Sequence, residues 1–200
     1  MTTHHTAARK PGRPRNADHD DKILDAVVAM VDRDDPITVT SVVEASGVSR
    51  AALYRRWSSM TELVATALDR GRSRVTLDLT KPVKEAIVEV LFDDMQRTRW
   101  ENYSDRRFRK RIQLVMASPD LQEAYWQSHV HRHRTAFAQA LQLGIERGQL
   151  RADLDVDAAI DSINGVFSYQ LVARGETLDK PETHRRGREA FEICWRGMQA

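Results

Sequence analysis

The segment from Thr38 to Trp57, TVTSVVEASGVSRAALYRRW, restricts the fold of this 200-residue chain more than any other feature. Thr38 is placed to cap a short helix over residues 39–46, and Gly47 follows where a left-handed helix end is favoured. Ser49 then begins a second short helix that continues to about Arg55. Two short helices joined by a tight turn predict a helix-turn-helix unit.

The second helix of such a unit lies in the major groove of double-stranded DNA, with its first turn against the base edges. Helical spacing predicts that Val48, Leu53 and Trp57 point into the protein. The outer face then carries the residues suited to a nucleic-acid contact, which are Ser49, Arg50, Ala51, Ala52 and Tyr54.

The residue types on this face match the chemistry of a DNA groove. Small alanines let the backbone approach closely and offer their methyl groups to thymine. Arg50 has the two parallel donors that read guanine, and Tyr54, Arg55 and Ser59 are placed to hold phosphates. The competing interpretation is an ordinary solvated helix face of Arg50, Arg55 and Arg56, with Tyr54 and Trp57 in the core.

The rest of the chain is also helical in its pattern. From Asp18 apolar residues recur at intervals of three and four, and Ser59 with Glu62 forms a capping box that predicts a fourth helix to about Arg74. Further helices follow, including a long one from Pro119 to about Arg147, and no alternating strand pattern is present. The sequence therefore predicts an all-α fold without internal repeats.

Composition excludes several classes of protein. The 31 basic and 29 acidic residues give a net charge of +2, so a nucleic-acid surface must arise from local segregation of charge. The single Cys194 permits neither an internal disulfide nor a cysteine-based zinc site. No apolar run of about 18 residues, secretory signal, phosphate-binding loop or nucleophile elbow is present. We expect a soluble cytoplasmic protein without enzymatic activity, membrane contact or cofactor.

The complete pattern resembles the Tet repressor (TetR/AcrR) family of bacterial transcription regulators. The resemblance covers residues 18 to about 68, through ILDAVVAMV and ITVTSVVEASGVSRAALYRRWSSMTELV, and RGQLRADLD resembles the family more weakly. It implies a homodimeric repressor that binds a palindromic DNA operator and releases it when a small-molecule effector binds. The implied organisation is a flexible basic arm over residues 1–17, a three-helix helix-turn-helix DNA-binding domain over 18–75, and a helical ligand-binding and dimerisation bundle over 76–200.

The resemblance also assigns DNA contacts to particular positions. These are Thr38, Thr40, Ser49, Arg50, Ala51, Tyr54, Arg55 and Ser59. Two positions depart from the family pattern, because Ala51 stands where glycine is common and Met60 stands where a phosphate-binding lysine is common. We expect part of the phosphate contact to move to Arg55, Arg56 and the arm.

The arm contains GRPR, in which Arg13 and Arg15 resemble residues that enter an adjacent minor groove. A disordered, solubilising tail is the alternative.

The candidate effector site lies in the C-terminal bundle, where pockets between helices are mostly apolar with a few polar groups. Suitable side chains are Met95, Phe108, Ile112, Met116, Trp126, His129, His133, Phe137, Asn164 and Phe167. Simple core packing is the alternative for each. His129 and His133 are four residues apart on the face of Trp126, but HVHRH lacks the arrangement of a hydrolytic zinc helix, so we expect core or interhelical histidines rather than a metal site.

The resemblance implies that the last two helices pair with those of a second subunit. The helix over residues 156–172 has apolar residues on two sides, one suited to its own core and one to a partner. The candidate interface residues are Val166, Tyr169, Phe191, Trp195 and Met198, with Gly165 allowing close approach. A fully internal helix is the alternative. The sequence also leaves open an activator, and a DNA-binding protein without an effector.

Overall fold

The computed structural model describes residues 17–71, 75–94, 105–177 and 179–200. Within these ranges the fold is all-α, as predicted, and the only strand-like pairing is an isolated antiparallel bridge between Leu150 and Gln199. The helices are α1 (Ala17–Arg33), α2 (Val39–Ser46), α3 (Arg50–Tyr54), α4 (Met60–Leu68), α5 (Val83–Val88), α6 (Asp105–Ala117), α7 (Pro119–Tyr125), α8 (His131–Glu146), α9 (Val156–Ser168) and α10 (Pro181–Met198).

Three stretches of π-helix extend these elements. They are Glu89–Asp94 after α5, Trp126–Val130 between α7 and α8, and Tyr169–Ala173 after α9. A π-helical turn contains more residues than an α-helical turn, so each stretch changes which side chains face the core. No helix in the described ranges is long and apolar enough to cross a membrane.

The helices α1 to α4, which we call the head, surround one apolar core. Its largest fully buried side chains include Ile23 from α1, Leu53 from α3, and Leu63 and Leu68 from α4. The predicted inward positions of Val48, Leu53 and Trp57 are confirmed, since all three are buried. Burial of these side chains is the main stabilising contribution to a unit made of such short helices.

The helices α5, α8, α9 and α10, which we call the body, surround a second core. Phe92, from the π-helical stretch after α5, lies near its centre, with ring centroids 5.4 Å from Phe167 and 5.8 Å from Phe191. Gly144 permits close packing here, because a Cβ atom on it would lie 2.7 Å from Cδ1 of Leu150.

The α6–α7 segment comes after α5 of the body in sequence, yet α7 packs with the head. Leu121 and Tyr125 of α7 are buried in the head core, where α7 lies against α4. Ser118 caps α7 by accepting a hydrogen bond from the backbone N–H of Leu121 at 3.2 Å, and Pro119 occupies the first helical position as predicted. The head core therefore contains side chains of α7, although α5 of the body lies between α4 and α7 in the sequence.

One predicted boundary is wrong. The helix that begins after Ser59 ends at Leu68 rather than near Arg74, because Asp69 and Arg70 already form a turn. Arg70 donates hydrogen bonds to Asp21 and Asp25 on α1, at 2.9 and 2.8 Å, which fixes the end of α4 within the head.

Candidate nucleic-acid interface

The first helix of the predicted unit begins with a reciprocal cap. The Thr38 hydroxyl accepts a hydrogen bond from the backbone N–H of Ser41 at 3.1 Å, and the backbone N–H of Thr38 donates to the Ser41 hydroxyl at 2.9 Å. Two backbone donors that the helix itself cannot satisfy are thereby paired. Thr38 remains exposed, so its hydroxyl combines a structural contact with access to solvent.

The turn between α2 and α3 depends on backbone conformation at Gly47. Gly47 has φ 66°, and its N–H donates to the carbonyl of Val43 at 3.0 Å. No atom lies within 4 Å of a Cβ built on Gly47, so the positive φ rather than lack of space favours glycine. Ser49 then caps α3 by accepting from the N–H of Ala52 at 3.3 Å.

The predicted contact residues of this unit are largely on its surface. The exposed ones are Thr38, Thr40, Ser49, Arg50, Ala51, Tyr54 and Arg55, and Ser59 is half-buried at the cap of α4. They come from α2, α3 and the residues that flank them, which the shared core holds in fixed relation. The exposure of Tyr54 contradicts one part of the alternative interpretation, which placed this ring in the core together with Trp57, whereas Trp57 is buried.

Ala52 is a correction. It was expected on the outer face, but it is only 5% exposed and belongs to the head core. Ala52 lies next to Leu53 on α3, and both side chains pack inward. The Ala52 side chain is therefore part of the head core and not of the exposed face of α3.

Arg56 and Met60 also have structural roles. Arg56 is half-buried and forms an ion pair with Asp20 in the first turn of α1. Met60 is partly buried against the head core, which accounts for an apolar residue where the family pattern has lysine. Of the cations expected to hold phosphate, Arg55 is therefore the exposed one in the described ranges. Arg13 and Arg15 lie outside the described residues.

A carboxylate supports the cap at the start of α4. Ser59 accepts from the backbone N–H of Glu62 at 3.1 Å, while the Glu62 carboxylate accepts from both the hydroxyl and the N–H of Ser58, at 2.7 and 2.8 Å. The side chain thus pairs one residue earlier than the predicted capping box. The hydrogen bonds from Ser58 lower the pKa of the Glu62 carboxyl.

The candidate effector residues do not converge on one site. Phe137 and Phe167 are buried in the body core, Phe108 packs at its edge, and Ile112 is half-buried. Met116 is 73% exposed, so its expected role in lining a cavity is wrong. Met95 lies outside the described residues.

Two further candidates are also at the surface. Trp126 was expected beside His129 and His133, but its ring is exposed and lies under the guanidinium of Arg134. It begins the π-helical stretch Trp126–Val130, and the wider turn removes it from the stripe that continues to Phe137. Asn164 was expected to be buried, but it is exposed and its amide donates to the carbonyl of Ile160 at 3.0 Å.

The two histidines do lie together, with ring centroids 4.2 Å apart. His129 is buried, stacks on Tyr125, and makes a hydrogen bond to Asp69 at the end of α4. It therefore forms an interhelical contact, one of the roles expected for it. In the ranges that the structure covers, no three His, Cys, Asp or Glu side chains are grouped to hold a metal ion.

Most of the residues expected at a subunit interface are buried within their own chain, so these expectations are wrong. Val166, Phe191, Trp195 and Met198 are buried in the body core of their own chain, so they offer no surface to a second copy. Tyr169 is 59% exposed, as an interface residue would be. Val172 and Ile193 are also large apolar side chains that are exposed. Sequence reasoning missed Ile193, although this apolar residue lies off the stripe of Phe191 and Trp195.

Residues 86–186, half of the chain, match the family model described as the tetracyclin repressor-like C-terminal domain. The chain belongs to the TetR family. This TetR-family transcriptional regulator is similar, with 27% identity over 96% of its length, to an uncharacterized HTH-type transcriptional regulator, YdeS, of Bacillus subtilis, of which the match covers 95%.

Solved structures of TetR regulators share the fold. A TetR transcriptional regulator from Agrobacterium tumefaciens matches with a TM-score of 0.61 and 16% identity, covering 91% of this chain and 94% of that one. TylP, a TetR regulator from Streptomyces fradiae, matches with a TM-score of 0.53 and 17% identity, covering 93% and 89%. At these identities the likeness concerns the fold alone.

Proposed function

We propose that this protein is a homodimeric repressor that binds a palindromic operator and releases it when a small molecule binds. The observation that carries the proposal is the set of exposed polar, cationic and small side chains on one helix-turn-helix, supported from behind by the head core. In this division the DNA-binding domain spans residues 18–75 and the effector-binding and dimerisation domain spans 76–200.

The roles on DNA follow from side-chain chemistry. Arg50, at the start of α3, presents two parallel donors to a base edge, and Ala51 allows the backbone to approach. The Ser49 hydroxyl accepts a backbone N–H and keeps a proton to donate to a phosphate oxygen, whereas the Thr38 hydroxyl also lies 3.0 Å from the Ser41 hydroxyl and would turn its proton from that contact to a phosphate. Tyr54 and Arg55 supply further phosphate contacts, and Arg13 and Arg15 extend the contact into a minor groove.

The last two helices provide a surface for a second copy. Tyr169, Val172 and Ile193 are large apolar side chains that their own chain leaves exposed. Gly165 is exposed too, and no atom lies within 4 Å of a Cβ built on it, so a partner helix has room to approach. A two-fold pairing of α9 and α10 would bury this surface twice over and form a four-helix interface.

Release requires that the effector bind better when the two heads are spaced wrongly for the operator. The half-sites of a palindrome lie about 34 Å apart, so both heads must fit at once and a small displacement breaks one fit. A small molecule that lowers operator affinity, found by a thermal-shift screen of hydrophobic cations, acyl compounds and drugs, tests this part of the proposal.

Operator recognition is tested by Arg50→Ala, measured by fluorescence anisotropy against duplexes recovered by in vitro selection. We expect a loss of about 1–3 kcal/mol at one base position, with relaxed preference there. The matched control is Arg151→Ala, which removes the same charge from an exposed site between α8 and α9. Equal affinity of the unsubstituted protein for every duplex would overturn the proposal.

A further inference from the structure

One helical run joins the two cores. Residues 119–146 continue from α7 through the π-helical stretch into α8. The first part buries Leu121 and Tyr125 in the head core, and the last part buries Phe137 and Leu141 in the body core. Any change in the direction of this run between its two halves therefore changes the position of the head relative to the body.

Asp69 contacts this run where it leaves the head core, next to Val130, which still packs against that core. Its two carboxylate oxygens make separate contacts, Oδ1 with Nδ1 of His129 and Oδ2 with a guanidinium nitrogen of Arg132. His129 lies in the π-helical stretch and Arg132 in the first turn of α8. When the Asp69 carboxylate is ionised it only accepts, and Nδ1 of His129 then carries the proton in this hydrogen bond.

The location of Asp69 at the end of α4 indicates that its contacts with His129 and Arg132 offset an unfavourable charge. A carboxylate at a helix C-terminus is disfavoured by the helix dipole, whose negative end lies there. Contacts with a ring N–H and a guanidinium offset that cost. The side chains of Asp69 and His129 are only 19% and 5% exposed, so solvent screens this contact less than a surface ion pair, whereas the Arg132 side chain is 52% exposed.

Two other ion pairs connect the head to α6. Arg107 donates to Asp32 at 2.8 Å, and Lys110 pairs with Asp34, which follows α1. These pairs attach α6 to α1, before the helical run begins. Asp69 differs because it reaches past α7 to His129 and Arg132, in the part of the run that leads from the head core, where Val130 packs, to the body core, where Phe137 is buried.

We infer that Asp69 is the positioning residue that fixes the head of this regulator relative to its body. It does so by holding His129 and Arg132 together at the junction of α7 and α8. For operator binding the inference rests on the proposed function, since fixed heads matter only if two half-sites must be met together.

The direct test measures head-to-body distance within one chain. Spin labels are attached at Glu44→Cys on α2 and Glu146→Cys on α8, both exposed positions, with Cys194→Ala removing the native thiol. Labelled chains are diluted with excess unlabelled chain, and the distance distribution is recorded by double electron–electron resonance. Asp69→Asn keeps the side-chain shape and removes the charge, and we expect a clearly broader distribution.

The matched control is Asp25→Asn. Asp25 also pairs with a cation at the end of α4, Arg70, but this pair lies wholly inside the head. We expect Asp25→Asn to leave the distribution unchanged, and Arg132→Gln to broaden it less than Asp69→Asn because His129 remains bound. An unchanged distribution for Asp69→Asn, or equal broadening by Asp25→Asn, would overturn the inference.

A DNA measurement separates positioning from general stability. If only about a tenth of the Asp69→Asn dimers hold both heads correctly, operator affinity falls about tenfold. Affinity for a duplex whose half-sites are one base pair further apart should fall less. The ratio between the affinities for the two duplexes therefore becomes smaller in Asp69→Asn. If the unsubstituted protein has no spacing preference, the proposed function fails, whereas the distance measurement still decides the role of Asp69.

Discussion

The head and the body of this regulator are built in different ways. In the head, α2, α3 and α4 each begin at a hydroxyl residue, Thr38, Ser49 or Ser59, that caps the helix locally. In the body, α9 is capped by Asp155, but α5 and α10 begin without a side-chain cap, and two of the described π-helical stretches continue the body helices α5 and α9. Local caps therefore mark three successive helix starts in the head, in addition to its buried core, whereas in the body more of the helix starts depend on packing alone.

This difference explains where sequence reasoning succeeds. A cap involves residues three positions apart, so its signal is complete within a few letters of sequence. Which side chains of a long helix point to the core can be predicted only while the α-helical repeat is unbroken. One π-helical turn rotates every later side chain relative to that repeat. Trp126 and Phe137 were expected on one face, and the stretch from 126 to 130 separates them.

The largest expected effect comes from Phe191→Ala in the body core. Phe191 is fully buried and stacks on Trp195, so its removal should lower the free energy of unfolding by about 3–5 kcal/mol. The matched control is Ile193→Ala, two residues away and 67% exposed, which should change folding by less than about 0.5 kcal/mol.

Urea unfolding at several protein concentrations separates folding from association in these two variants. Ile193→Ala should weaken dimerisation and leave the folding of the chain intact. A large loss of folding stability from Ile193→Ala would contradict the assignment of this residue to the surface.

Leu121→Ala tests whether α7 belongs to the head core. We expect a loss of about 2–5 kcal/mol, with faster amide hydrogen exchange in α1 and α4. Leu150→Ala, an identical substitution in the body core, should accelerate exchange mainly in α5 and α8. If both variants give the same exchange pattern, the two cores unfold as one unit.

A smaller effect is expected from Thr38→Ala, which removes the cap of α2. The loss should be about 1 kcal/mol, measured by thermal or urea unfolding. Thr135→Ala is the control in the body, where the hydroxyl only donates to the carbonyl of His131 within α8. Equal losses at the two threonines would remove this contrast between head and body.

The smallest effect concerns pH. The hydrogen bonds from Ser58 hold the pKa of Glu62 below its usual value of 4.5, so the charged carboxylate stabilises the folded head. This contribution is present above about pH 4.5 and is lost as the pH falls through the lowered pKa. Glu62→Gln should flatten this acid dependence, and Ser58→Ala should raise the pKa of Glu62 in an NMR titration. An unchanged titration curve in Ser58→Ala would contradict the role of Ser58 in lowering this pKa.

The sequence by itself determined the all-α fold, the approximate bounds of α2 and α3, and most of the exposed positions from Thr38 to Arg55, because caps, turns and short amphipathic periods are local. Only the tertiary structure decided that Ala52 is buried, that Phe191 and Trp195 fill their own core while Ile193 stays outside, and that Asp69 reaches His129. These outcomes depend on which helices pack together and on how each is rotated about its own axis. Packing between distant residues determines both, and no short sequence pattern encodes them.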